Sequence, residues 1–152
     1  MAHTLTNVRD ATARRLSRLH VILYRLSGGV LGRRLVHNDM LLLTTLGART
    51  GNRRTVPLLY LNHGDTLVVI ASWGGRPRHP KWYTNLLANP IATVQVRSRR
   101  WPVRARTASP EERETWWPRV LAAYKGYRVY QAHTDRIIPV VFLEPSSDRD
   151  SL

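Results

Sequence analysis

The chain has 152 residues, no cysteine, and 24 Lys and Arg against 10 Asp and Glu, a formal charge of +14. That length makes one domain able to bury a core unaided, and the absence of cysteine excludes thiol catalysis, disulfide frameworks and cysteine-ligated metals. No apolar run approaches the ~20 residues of a spanning helix and no secretory signal is visible, so the expected location is the cytoplasm or the inner face of the cell membrane.

Lys81 and Lys125 are the only lysines; every other basic residue is arginine. Such a balance points to nucleic acid, anionic lipid or a polyanionic small molecule, or it is simply an arginine-rich composition, and charge alone does not choose.

Residues 7–27 read as an amphipathic helix with Asn7 as its cap. Leu16, Leu19, Leu23 and Leu26 recur at helical spacing opposite Arg14, Arg18 and Arg25, and Gly28-Gly29 ends the run. Such a helix either lies on an anionic membrane or packs its leucines on a core. Residues 1–27 are therefore read as a separate helix, 28–145 as the folded domain and 146–152 as a disordered tail.

From residue 39 the pattern changes to strands at about 40–46, 54–62 and 66–72, with Asn62-His63-Gly64-Asp65 as a hairpin signal. The glycine-bracketed basic turn Gly47-Ala48-Arg49-Thr50-Gly51-Asn52-Arg53-Arg54 joins the first two. The third runs into Ala71-Ser72-Trp73-Gly74-Gly75. Both loops leave strand ends where backbone N–H groups can face an anion, and arginine forks add bidentate contacts to phosphate or carboxylate. Pro80 opens a short helix to about residue 88, closed by Asn89-Pro90. Strands at 91–97 and 101–107 follow. Ser109-Pro110-Glu111-Glu112 is a capping box opening a helix over 110–124, which Pro118 should kink or split. A short turn at 127–133 and a strand at 137–143 complete the domain. Strands that follow one another without crossover helices favour a small closed or half-closed antiparallel barrel over a parallel sheet.

Familiar catalytic motifs are missing. There is no paired-carboxylate motif, no Gly-x-Ser-x-Gly elbow and no Gly-x-x-x-x-Gly-Lys loop, and the six histidines lack metal spacing, so no metal is expected. Reactivity would come from an organic cofactor. Tyr124, Tyr127 and Tyr130 recur every three residues beside Gly126, which suggests one helical face lining a pocket. His133-Thr134-Asp135-Arg136 reads as a turn fixed by an Asp–Arg pair.

In order, the chain reads Leu-Leu-Thr-Thr-x-Gly-x-Arg-Thr-Gly-x-x-Arg-x-x-Pro-Leu (42–58), Ala-Ser-x-Gly-Gly (71–75), His-Pro-x-Trp-Tyr-x-Asn-Leu-x-Ala-Asn-Pro (79–90), and Tyr-x-x-Tyr followed by Thr-Asp-Arg-x-Ile-Pro. This set resembles the deazaflavin-dependent nitroreductase and quinone reductase family over about residues 20–145. The resemblance implies a mainly β, six-stranded antiparallel split barrel of the FMN-binding type that uses coenzyme F420, an 8-hydroxy-5-deazaflavin with a phosphate and an oligoglutamate tail. It places the phosphate and tail against Arg49, Thr50, Gly51 and Arg54, with Pro57 in the same motif. It sets Ala71, Ser72, Trp73, Gly74 and Gly75 along the ring, and Trp82 and Asn85 near the stem. Ala48 stands where relatives commonly carry a basic residue, and Trp73 where they are often smaller or basic.

The implied reaction is hydride transfer from reduced F420 to a quinone, activated alkene or nitroaromatic acceptor held under Tyr124, Tyr127 and Tyr130. Tyr127 is the leading proton donor, with Tyr130, Ser72 or water as alternatives. The implied partners are a quinone-like acceptor and anionic membrane, in a monomer or homodimer. Two other readings stay open: a split barrel that binds deazaflavin, haem or fatty acid without turnover, and an FMN-dependent reductase. A nucleic-acid binder is disfavoured, because the arginines are scattered and no nucleic-acid motif is present.

Overall fold

The computed structural model describes residues 40–147. The expected helix over 7–27 and most of the expected tail lie outside these residues. Six strands, β1 (Met40–Leu46), β2 (Arg53–His63), β3 (Thr66–Ile70), β4 (Ile91–Val96), β5 (Arg99–Thr107) and β6 (Val140–Pro145), close into a barrel in the order β1-β2-β3-β6-β5-β4. Every pairing is antiparallel. Closure leaves no strand edge to mispair. The expected antiparallel barrel is what forms.

Strand periodicity of two builds the interior. Leu41, Leu43, Leu67, Val69, Val94, Val103 and Leu143 point inward, and α1 (Lys81–Ala88) adds Trp82, Tyr83 and Leu86 to the same cluster. The alternate residues of β3 and β6 (Val68, Ile70, Val140 and Phe142) are also buried, because two helices cover that outer face. These are α2 (Pro110–Ala123), contributing Trp116 and Val120, and α3 (Gly126–Ala132), contributing Tyr127. Strands buried on both sides read as unbroken apolar runs, which is how β3 and β6 appear in the sequence.

Two local expectations change. The capping box forms as read, Ser109 Oγ accepting from the Glu112 N–H at 3.2 Å and Glu112 Oε2 accepting from the Ser109 N–H at 2.8 Å. However, α2 runs unsplit through Pro118. Trp116 and Val120, buried on either side of it, hold the helix across the missing donor. Strand β6 begins at Val140 rather than at 137, because Pro139 lacks an N–H for a ladder and its carbonyl is taken by the Ala71 N–H at 3.0 Å. Ile137 stays exposed while Ile138 is fully buried.

Candidate active site

The β1–β2 turn is built to stand open. Gly47 N–H donates to Asn52 O and Gly51 N–H to Gly47 O, both at 2.8 Å, and Gly51 sits at φ 64° with nothing near the position of a Cβ. Asn85 on α1 anchors the turn from beneath. Its Oδ1 accepts from the Ala48 N–H at 3.0 Å and its Nδ2 donates to Thr45 Oγ1 at 3.1 Å. Asn85 is buried with both ends of its amide engaged within the protein, so it orders the turn rather than presenting itself to a ligand. Above it, Arg49, Thr50, Gly51, Arg53 and Arg54 are exposed. Among the described residues, the guanidinium groups of Arg49, Arg53 and Arg54 have no ion-pair or hydrogen-bond partner.

Other arginines are consumed by structure. Arg106 bonds Glu112 at 2.8 Å and Glu144 at 2.7 Å, which raises its pKa still further, and lies over the Phe142 ring. Arg113 stacks on Trp117 and donates to Ile138 O and Gln131 Oε1.

Segment 71–76 follows β3. Ala71 is fully buried and Ser72 nearly so, whereas Trp73 is 41% exposed with the Arg76 guanidinium 4.8 Å from its ring centroid. A short 3-10 turn covers Trp73–Gly75. The Ser72 carbonyl accepts from the Gly75 N–H at 2.9 Å, and the Ser72 hydroxyl makes no cap bond. Trp82 is only 7% exposed and packs in the barrel core. Pro57 pairs with Leu42 in the β1–β2 ladder and is half-buried.

The three tyrosines meet, but not along one helix. Tyr124 is the extended C-cap of α2, while Tyr127 and Tyr130 lie on α3. Their rings pack mutually, with centroids 5.3 Å (124–127), 6.0 Å (127–130) and 6.2 Å (124–130) apart. Gly126 permits this, since a Cβ there would fall 2.4 Å from the Tyr124 ring. The Tyr124 and Tyr130 hydroxyls are 3.4 Å apart. Tyr127 is buried, and among the described residues its hydroxyl has no hydrogen-bond partner. Burial, then the neighbouring Tyr130 and Tyr124, push its phenol well above the usual range. The bond to Tyr124, then burial, raises Tyr130 as well. A buried phenol of this kind stays protonated and carries an unspent donor.

Arg136 is the residue that the sequence reading misassigned. It makes no pair with Asp135 within the structure described; its guanidinium reaches back to segment 71–76 and to His79. The partners are 57 to 65 residues away in sequence, so nothing local signals them. A groove between α1 and β5, lined by Tyr83, Leu86, Leu87 and Arg106 among others, lies apart and includes none of the candidate residues.

Comparison with known proteins is consistent with this geometry. A protein-family profile described as F420H(2)-dependent quinone reductase matches residues 16–145. The F420H(2)-dependent quinone reductase of Mycobacterium tuberculosis strain H37Rv is 40% identical over 132 residues, covering 84% of this chain and 89% of the relative. A solved F420-H2 dependent reductase, FDR-A, superposes with a TM-score of 0.64 at 42% identity, over 72% of this chain and all but 1% of that one, its coverage being 99%. Another solved structure, described as a domain-swapped dimer, gives a TM-score of 0.66 at 37% identity, over 93% of this chain and 99% of that one.

Proposed function

The chain belongs to the F420H(2)-dependent quinone reductase family, and we propose that it transfers a hydride from reduced coenzyme F420 to a quinone-like acceptor beneath its tyrosine cluster. The observation that carries this reading is the uneven fate of the arginines. Arg106, Arg113 and Arg136 are each spent inside the protein, whereas Arg49 on the ordered turn and Arg53 and Arg54 at the start of β2 have no side-chain partner among the described residues. A stem of phosphate and glutamate carboxylates is what such a donor set suits, since guanidinium forks match both anions bidentately. The open space at Gly51 admits close backbone approach.

When bound, reduced F420 supplies the hydride. The protein binds, orients and excludes water. Arg49, Thr50, Gly51 and Arg54 hold the acidic stem, and Asn85 keeps their turn in shape. Segment 71–75 borders the ring. Tyr124 and Tyr130 wall the acceptor, and Tyr127 directs its unpaired O–H to the acceptor oxygen that gains charge. With its pKa raised, Tyr127 yields the proton only to an oxygen more basic than itself. The phenol is therefore a hydrogen-bond donor as charge develops and a proton donor at the end of the step.

Titrating the purified protein with oxidised F420, followed by fluorescence, tests the binding. Consumption of reduced F420 with menadione tests the turnover. Tyr127→Phe is expected to keep F420 binding and to lower turnover about 100- to 10,000-fold, the range for a lost general acid. Full turnover in that variant removes the role of Tyr127, and no F420 binding by the wild type removes the whole reading.

A further inference from the structure

Segment 71–76 holds the main backbone strain among the described residues. Trp73, Gly74 and Gly75 follow one another at φ 43°, 65° and 76°. L side chains avoid that region, and an aromatic residue persists there only when its surroundings fix it. Packing fixes one side: Gly75 lies so close to α3 that a Cβ would fall 2.3 Å from Tyr130 O and 2.9 Å from Tyr130 Cα.

A single guanidinium fixes the other side. Arg136 Nε donates to Arg76 O at 2.9 Å, Nη1 to Ala71 O at 3.1 Å and Nη2 to Ser72 O at 2.8 Å. The segment is thus gripped at both ends by one rigid plane. Nη1 also meets His79 Nδ1 at 3.1 Å, so His79, just before α1, joins the same knot. Because a guanidinium only donates, Nδ1 accepts and the imidazole proton sits on Nε2.

The knot continues into the tyrosine helix. Gln131, the residue after Tyr130, donates to Arg136 O at 2.8 Å. The same side chain accepts at Oε1 from Ile138 N–H and from Arg113, both at 3.0 Å. One connected set of bonds therefore runs from the segment at Ala71–Arg76 to the helix that carries Tyr127 and Tyr130.

We propose that Arg136 is a positioning residue for hydride transfer, holding the segment along the cofactor ring at a fixed separation from the tyrosine cluster that covers the acceptor. It touches neither reactant. It sets the gap across which they meet, and this role rests on the F420-dependent reading given above. Lysine cannot substitute, because an ammonium is a point donor that cannot reach the carbonyls of residues 71, 72 and 76 in one plane.

The test compares the wild type with R136K and R136A, reading F420 affinity by fluorescence and menadione-dependent kcat separately. R136K is expected to bind F420 close to wild type, because the acidic stem is held by the remote β1–β2 turn. Its kcat is expected to fall about 10- to 100-fold, the penalty for misplacing reactants by about 1 Å. Millimolar guanidinium, but not ammonium, should restore part of the R136A rate. R136K with unchanged kcat overturns the proposal. So does an equal loss of F420 binding and rate, or failure of guanidinium to restore R136A, since these mark a general loss of structure. A wild type that neither binds nor oxidises reduced F420 sinks the functional reading instead, so the two failures are distinguishable.

Discussion

The β1–β2 turn and segment 71–76 are made from the same materials and behave as opposites. Each joins arginine to glycines at positive φ: Gly51 at 64° in the turn, Gly74 at 65° and Gly75 at 76° in the segment. At Gly51 nothing lies within 4 Å of a notional Cβ, while at Gly75 the backbone of Tyr130 is already there. Arg49 and Arg54 have no partner among the described residues, whereas Arg136 spends Nε, Nη1 and Nη2 on carbonyls of the segment. An arginine with unspent donors on an ordered turn is free to take an anion, and one whose donors are satisfied internally is scaffold. Composition alone does not separate the two. Hydrogen-bond accounting does.

Adding one methyl group to each region gives the strongest contrast. Gly75→Ala meets strained φ and immovable backbone together, and is expected to destabilise the protein by about 3 kcal/mol or more, a large share of a small domain's stability. Gly51→Ala meets only the φ penalty, about 1 kcal/mol. Urea denaturation midpoints measure both. Equal losses at the two positions would break the distinction between an open turn and a packed segment.

Removing the arginines should invert that pattern. The double variant Arg49→Ala with Arg54→Ala is expected to leave the denaturation midpoint within about 0.5 kcal/mol of wild type, as exposed unpaired residues do. F420 affinity should fall by about 2–3 kcal/mol, or about 30- to 150-fold, with weaker dependence on salt. Loss of stability without loss of affinity would return these arginines to the scaffold and leave the site without its anion clamp.

The barrel was legible because its signals are local. Alternation in Leu41, Leu43, Leu67 and Val69, the Asn62–Asp65 hairpin and the Ser109 capping box each lie within a few residues of the element that they define. The basic turn was legible for the same reason. Three features were not. Tyr124, Tyr127 and Tyr130 share helical spacing, but the chain bends at Lys125–Gly126, so their meeting depends on a ring folding back over a glycine. Asn85 reads as a ligand contact until its amide is found tied to Thr45 and Ala48, 40 and 37 residues away. Arg136 stands beside Asp135 in sequence, and the nearest opposite charge is a natural expectation. The fold offers it buried carbonyls instead, and an exposed carboxylate pair is worth little against them.

His79 provides the mildest test of the same contrast, because it couples the gripped segment to pH and leaves the open turn unaffected. Burial, then the adjacent Arg136, lowers its pKa from the ordinary 6.5. The charged group facing it is Arg136, and the Tyr83 ring packs edge-on at 5.0 Å. The unfolded chain therefore takes up the His79 proton at higher pH than the folded protein does. Stability from this residue is complete above 6.5 and falls as the pH drops from there through the lower folded value. The carboxyls of Glu111 and Glu112, lowered from 4.5, add their own loss only below that value, so among the shifted groups of the described residues the interval between 6.5 and 4.5 belongs to His79. His79→Gln retains an acceptor for Arg136 without titrating, so its melting temperature should decline less over that interval than the wild type's. The menadione rate should show the same difference if the grip on segment 71–76 matters for transfer, whereas F420 affinity, set at the β1–β2 turn, should follow pH alike in both proteins. Parallel melting curves for the two would mean that the contact with Arg136 survives protonation, and the acid-sensitive half of the comparison would fall away.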